Sequence, residues 1–335
     1  MAGRSIRALA LGAVGVLASL GLAAAQDHSH GPVTLPSEIV TAASGFQAYM
    51  EHAADVRSDF HDGEAVHRAL RVGVTYQHDQ LEEGMIAYGA LVALQDSHFI
   101  NAVAAAGRKP EDRQALAERI EANPAEALRF DGSSQTARLV AMSLTALANP
   151  VAAAGRSVKQ SAYDIQHEAW SKGKVPNLAG RLKEVKTLSM ASFVATPSDN
   201  AHLMSAMLRL PQPDTASPPV SPIVARALGL AAVAVLGQAR PEDMPKLGPL
   251  LTEYYSADCL KMAKLNLYQC MAVAVPNYEN VFCLGQHALI DTGQCVASAV
   301  TASPNRFAPP YQPPMATATP VKVPVKPAHH HRRRS

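Results

Sequence analysis

Aromatic residues are scarce in this chain of 335 residues: Phe, Trp and Tyr make up 5%, and Trp170 is the single tryptophan. Runs that alternate β-branched and polar residues are missing too, so strands have no support and the fold class is expected to be all-α. Cysteine is confined to Cys259, Cys270, Cys283 and Cys295. Neither C-x-x-C nor C-x-x-C-H occurs, which removes thioredoxin-type redox chemistry and covalent haem attachment. G-x-S-x-G, H-E-x-x-H, S-x-x-K with its partners and a glycine-rich phosphate loop are also absent. No catalytic residue can be named on this basis, and no motif calls for an organic cofactor. Acidic residues are plentiful, so an enzyme with a site of scattered carboxylates and histidines stays open as one reading. The leading expectation is non-catalytic binding or scaffolding.

The N-terminus sets the expected compartment. Arg4 and Arg7 precede the apolar run Ala8 to Leu22, which ends in Ala23-Ala24-Ala25 before Gln26-Asp27-His28. A charged start, an apolar centre and a small-residue cleavage site form a secretory signal peptide, so residues 1–25 are expected to be removed. An uncleaved anchor is the alternative. No cysteine stands at the cleavage site, so a lipoprotein signal is excluded. No second uninterrupted apolar run reaches transmembrane length; Ile223 to Leu236 is too short and fits a buried helix. The expected location is periplasmic or secreted, with no transmembrane span after cleavage.

The cysteines agree with export. Cys259 and Cys270 lie eleven residues apart among strong helix formers, which puts them on one face but about 16 Å apart along the axis. They cannot bridge each other while that helix is intact. Gly285 and Gly293 leave room for a break between Cys283 and Cys295. The pairs Cys259/Cys295 and Cys270/Cys283 share a midpoint at Pro276-Asn277, an independent turn signal. Nested bridges Cys259–Cys295 and Cys270–Cys283 across an antiparallel helical hairpin follow. Four buried, reduced cysteines are the alternative, and a four-cysteine zinc site lacks the short ligand spacing it needs. Over about forty residues this arrangement resembles the twin-cysteine helical hairpins of the mitochondrial intermembrane space. The spacings here are ten and eleven residues rather than the C-x9-C of those hairpins, and no function is carried over.

The body reads as helices over 37–59, 64–106, 110–122, 133–154, 156–172, 177–191 and 199–210. In 64–106, Val66, Leu70, Val74, Leu81, Met85, Tyr88, Val92, Phe99 and Val103 fall on one stripe about 100° wide. Gly84 and Gly89 are the expected points of bending or division. Pro150 is expected to interrupt or kink the helix that starts at Ser133. Residues 211–222 hold five prolines and read as a linker between a helical domain, 37–210, and a second lobe, 223–300, with helices near 222–239 and 241–255. Residues 26–36 read as a flexible N-terminus. Abundant alanine suggests helices packed closely through small side chains.

The C-terminal segment, 301–335, changes character. From Pro304 it has no acidic residue and six cations, among them Lys322, Lys326, Arg332, Arg333 and Arg334. Removing these six and the two signal arginines leaves 22 basic against 28 acidic residues, so 26–303 carries −6. A disordered, proline-rich basic arm of this kind suits an anionic envelope surface or an acidic protein partner; a solubilising tail is the alternative. Nucleic acid fits the charge but not the compartment.

Thirteen histidines raise a metal reading. After cleavage His28 would be the third residue, and an amine, two amides and His28 form a square-planar Cu(II) or Ni(II) site, with His30 as a further ligand. His329, His330 and His331 form a second tract that could take Cu, Ni or Zn. Glu64-x-x-His67 and Asp164-x-x-His167 mimic di-iron bundle pairs, with Glu51 and Asp96 as the remaining carboxylates. Glu64 points away from the apolar stripe, however, and helix-surface polarity explains these positions more simply. His78 and Glu82 are placed for a surface pair. His202, Met204 and Met207 hint at a soft copper site, although core methionines are far commoner.

Overall fold

The computed structural model describes residues 35–210 and 220–301, together with Val33. It is all-α. The helices are α1 Ser37–Ala54, α2 Gly63–Val74, α3 His78–Ala93, α4 Ser97–Ala106, α5 Pro110–Ala122, α6 Ser133–Asp164 and α7 Ala169–Lys172. They continue as α8 Leu178–Leu188, α9 Pro197–Met207, α10 Pro222–Val235, α11 Met244–Leu247, α12 Tyr254–Val273, α13 Asn277–Cys283 and α14 Asp291–Val300. Short 3₁₀ turns lie between several of them. Among the described residues the one sheet-like feature is an isolated bridge, Lys174 to Pro276.

The stretch 64–106, expected as one helix, is three. Thr75 has φ −78° and ψ 73°, and Tyr76 N–H donates to Val74 C=O at 2.8 Å, an inverse γ-turn that ends α2. Asp96 starts α4 by accepting from the N–H groups of His98 and Phe99. The apolar stripe stays in phase across both breaks, so periodicity alone conceals them. Gly84 and Gly89, by contrast, lie inside α3 and do not divide it. A Cβ on Gly84 would lie 2.5 Å from the Ala42 carbonyl oxygen, so glycine here permits α3 to rest on α1.

Pro150 likewise fails to end its helix. α6 runs 32 residues through it, because Leu144, Ala148, Val151, Ala152, Gly155 and Val158 are all buried on one continuous face. Losing one backbone bond at the proline costs less than exposing that face. The helix with its 3₁₀ extension, Ser133–His167, is also long and apolar enough to cross a membrane by length and composition alone. A search for uninterrupted apolar runs passes over it because Arg138, Arg156 and Lys159 punctuate it. In this structure it is a core helix, packed against α1, α3, α13 and α14.

α10 follows the proline-rich segment and lies in the middle of the body, against α3, α5, α6 and the 124–129 turn. Its Ile223, Val224, Ala227, Leu228, Leu230, Ala231 and Val233 are buried. Side chains from both sides of that segment thus belong to one core. Most of the proline-rich stretch, 211–219, lies outside the described residues.

The cysteine hairpin is present. Cys259–Cys295 and Cys270–Cys283 are bridged, with Cα atoms 5.6 and 5.7 Å apart, and none of the four cysteines is free. α12 is the first arm. α13, a π-helical segment over Leu284–Ile290 and α14 form the second arm without a break. The two cysteines of the second arm are one residue further apart than those of the first, and a π-helical turn absorbs one extra residue. Gly285 and Gly293 therefore do not break the arm, as expected from sequence, but seat it. A Cβ on Gly285 would stand 2.5 Å from Lys159 N, so the arm meets α6 backbone to backbone.

Candidate functional site

α1, α6 and α9 enclose a cleft of about 290 Å³. α9 is set in place by a capping box: Thr196 Oγ1 accepts the Asp199 N–H at 3.2 Å, and Asp199 Oδ2 accepts the Thr196 N–H at 2.7 Å. That backbone bond holds the Asp199 carboxyl below the usual carboxylate range. Leu203 and Met207, four apart, face the core, which leaves His202, Ala206 and Arg209 along the cleft.

The α1 wall is Gln47 and Glu51, one turn apart. Gln47 Nε2 donates to Glu51 Oε1 at 2.8 Å, and His202 Nε2 stands 3.3 Å from that same oxygen. A carboxylate only accepts, so this bond fixes which way the amide is turned. Gln47 Oε1 is then left with no hydrogen-bond partner, although the residue is only 3% exposed. Opposite, on α6, Ser143 is 2% exposed and its hydroxyl is also unpartnered. Its neighbour Thr145 satisfies itself on the Ala141 carbonyl at 2.7 Å, as hydroxyls inside helices usually do. Tyr88 completes the wall; burial first, and the Glu51 charge second, push its phenol up to about 12. Gln47 Oε1 and Ser143 Oγ are two of the eleven buried side-chain polar atoms without a partner among the described residues; the cleft itself exposes Glu51, His202 and Arg209 beside Ala146, Leu147 and Leu210.

Two larger clefts flank the 55–62 loop, of about 640 and 490 Å³. Their walls are charged and open, and their buried polar groups have protein partners or face solvent.

Elsewhere, other buried polar atoms also lack partners, among them Ser44 Oγ, Ser189 Oγ and both side-chain polar atoms of Asn280, while several buried groups are paired and knit the fold. Lys264 Nζ lies 3.4 Å from the centre of the Tyr76 ring and donates to Val74 C=O at 3.1 Å. Burial pushes this amine well below its ordinary pKa. Tyr76 Oη shares a 2.9 Å hydrogen bond with Thr292 Oγ1, and Tyr49 Oη donates to Gly73 C=O at 3.0 Å. These contacts tie the α2–α3 turn to both arms of the stapled hairpin. Glu82 is buried in α3 and accepts the Glu253 N–H, while Glu253 caps α12 through Tyr255 and Ser256. Burial raises the Glu82 carboxyl to about 8.

The remaining residues singled out from sequence do not converge. His67 pairs with Glu184 at 2.8 Å rather than with Asp164 or His167, and Asp96 accepts from Thr136 at 2.8 Å. His78 sits 2.6 Å from Asp79, not beside Glu82, because Glu82 points into the core. Among the described residues no group of three or more His, Cys, Asp or Glu could hold a metal ion. His28, His30, His329, His330 and His331, and likewise Lys322, Lys326, Arg332, Arg333 and Arg334, lie outside the described residues, as does the signal segment. Gln47 and Ser143 were not legible as site residues: each is one polar residue on a mostly apolar helix face. Compared with protein-family models, with curated proteins and with solved structures, the chain matches none.

Proposed function

We propose that this is an exported protein that works by binding, with the α1–α6–α9 cleft as the ligand-holding part of its body. The observation that carries this reading is a cleft that combines charged and polar groups, Glu51, His202 and Arg209, with the apolar Ala146, Leu147 and Leu210. Two bridged cysteine pairs fit an oxidising compartment, in keeping with the signal-like N-terminus. The basic segment from Pro304 supplies a second, electrostatic contact to an anionic envelope surface or acidic partner, since its charge is opposite to that of residues 26–303.

The cleft is tested by thermal shift with a fragment set spanning cations, anions and neutral molecules. At least one class is expected to raise the Tm of the wild type and not of Gln47→Leu; if no class does, the cleft is not a ligand site. The basic segment is tested by co-sedimentation with vesicles rich in phosphatidylglycerol. The full chain is expected to bind at low salt and to release at 0.5 M salt, roughly as screening predicts, and a chain ending at Ser303 is expected not to bind. Equal binding by both chains removes the tethering reading.

A further inference from the structure

We propose that an uncharged, proline-dense segment of this same chain, residues 307–314, seats on the exposed Tyr254–Tyr255 pair at the start of α12. The proposal is independent of the cleft and of the basic contact above.

Among the described residues the exposed aromatic side chains are Tyr163, Tyr254 and Tyr255, and Tyr254 is 67% exposed. The Tyr254 and Tyr255 rings stand edge to face, with centres 5.6 Å apart and planes at 79°. Their place is fixed by the cap of α12, in which Glu253 accepts the N–H groups of Tyr255 and Ser256. Ring area left facing water adds nothing to the core, and adjacent exposed rings are a common recognition surface.

The place where the chain leaves the body points to what covers them. α12 and α14 are antiparallel arms joined at Cys259–Cys295, with Cα atoms 5.6 Å apart. Tyr254 lies five residues before Cys259 and Thr301 six residues after Cys295, so both stand at the same end of the hairpin. The five residues 302–306 span up to about 16–18 Å, against about 8–10 Å between the axes of packed helices. Residues 302–314 lie outside the described residues.

The segment supplies matching chemistry. Phe307-Ala308-Pro309-Pro310-Tyr311-Gln312-Pro313-Pro314 has four prolines in eight residues and no charge. Such a sequence favours the polyproline II helix, whose three-residue turn puts Pro310 and Pro313 on one edge. Prolines on that edge pack against exposed aromatic rings, and the stiff helix loses little entropy on docking. The tether adds an effective concentration in the millimolar range, so a weak contact suffices. Charge does not decide the seat: Asp258 and Lys261 further along α12 have opposite signs, and 307–314 carries none. The basic residues from Lys322 onward stay free for the electrostatic contact.

The test uses the full chain carrying p-benzoylphenylalanine in place of Tyr254, which keeps an aromatic ring at the seat. It is irradiated at low micromolar concentration, and crosslinks are mapped by mass spectrometry. Crosslinks are expected within one chain, to residues 307–314, with a yield that changes by less than about twofold at 0.5 M salt. The same group in place of Tyr163, beside Phe282 towards the other end of the hairpin, is expected to give about fivefold less. Replacing Pro309, Pro310, Pro313 and Pro314 by Ala leaves every residue of the helical body in place. It is expected to lower the yield at position 254 about fivefold. Equal yields at the two positions, or with the prolines replaced, would overturn the seat, because chain proximity alone would explain them. Crosslinks lost at 0.5 M salt would overturn it in favour of an electrostatic contact. Crosslinks found only between two chains would make a second copy the occupant, and no crosslink to 307–314 would remove this segment from the pair. Vesicle binding tests the basic contact separately from all of these outcomes.

Discussion

Replacing Glu82 by Gln should flatten part of the pH dependence of stability. In the folded protein the Glu82 carboxyl is buried between α3 and the start of α12, and burial lifts its pKa from 4.5 to about 8. In the unfolded chain it ionises in the ordinary range. Between those two values the folded state holds a proton that the unfolded state has lost. The stabilisation is therefore complete below about pH 4.5 and disappears as pH rises through about 8. At about 1.36 kcal/mol per unit the window spans at most about 5 kcal/mol, and local relaxation lowers this to about 2–5 kcal/mol. Glutamine keeps the oxygen that accepts the Glu253 N–H and carries no charge at any pH. Urea unfolding of wild type and Glu82→Gln at pH 5, 7 and 9 isolates the effect, because every other titration cancels in the difference. The two should be nearly equal at pH 5, and the variant should be the more stable by about 2–5 kcal/mol at pH 9. A difference that stays constant from pH 5 to pH 9 would refute the assignment of a buried, proton-holding carboxyl.

Gly285→Ala should cost about 3 kcal/mol or more in chemical denaturation, since its Cβ meets α6 backbone, whereas Gly248→Ala, with open space around it, should change stability by less than about 1 kcal/mol. Removing the Cys270–Cys283 bridge, which spans 13 residues, should cost about 3 kcal/mol, and removing Cys259–Cys295, which spans 36, about 4 kcal/mol. No loss of stability on reduction would show that packing alone holds the hairpin. Gln47→Leu removes both the unmet Oε1 and the Nε2 bond to Glu51, so its Tm should shift by no more than a few degrees, roughly the balance of two opposing contributions of about 1 kcal/mol each. A much larger fall in Tm would mean that Oε1 is paired in solution.

The sequence was readable where one pattern carried the message. Helices without strands follow from a period of 3.6 and the lack of alternating β-branched runs. The bridges follow from two cysteine pairs that share a turn at Pro276-Asn277. The breaks at Thr75 and Asp96 stayed hidden because they depend on single hydrogen bonds of turn and cap, and the apolar stripe passes over both. Pro150 misled for the opposite reason: a strong local signal lost to the buried face on either side of it. The cleft was unreadable. Gln47, Ser143 and His202 come from three helices, with 155 residues between the first and the last in sequence position, and only the fold sets them side by side. Glu82 read as a surface partner of His78 because spacing gives which residues neighbour each other along a helix, not which face inward.

The central place of α10 has a consequence for truncation. The helix that fills the middle of the core begins at Pro222, about two-thirds of the way along the chain. Without it, the face of α3 that receives Ala227 loses its cover. A fragment ending at Leu210 should therefore remain sensitive to protease while the chain through Thr301 resists it.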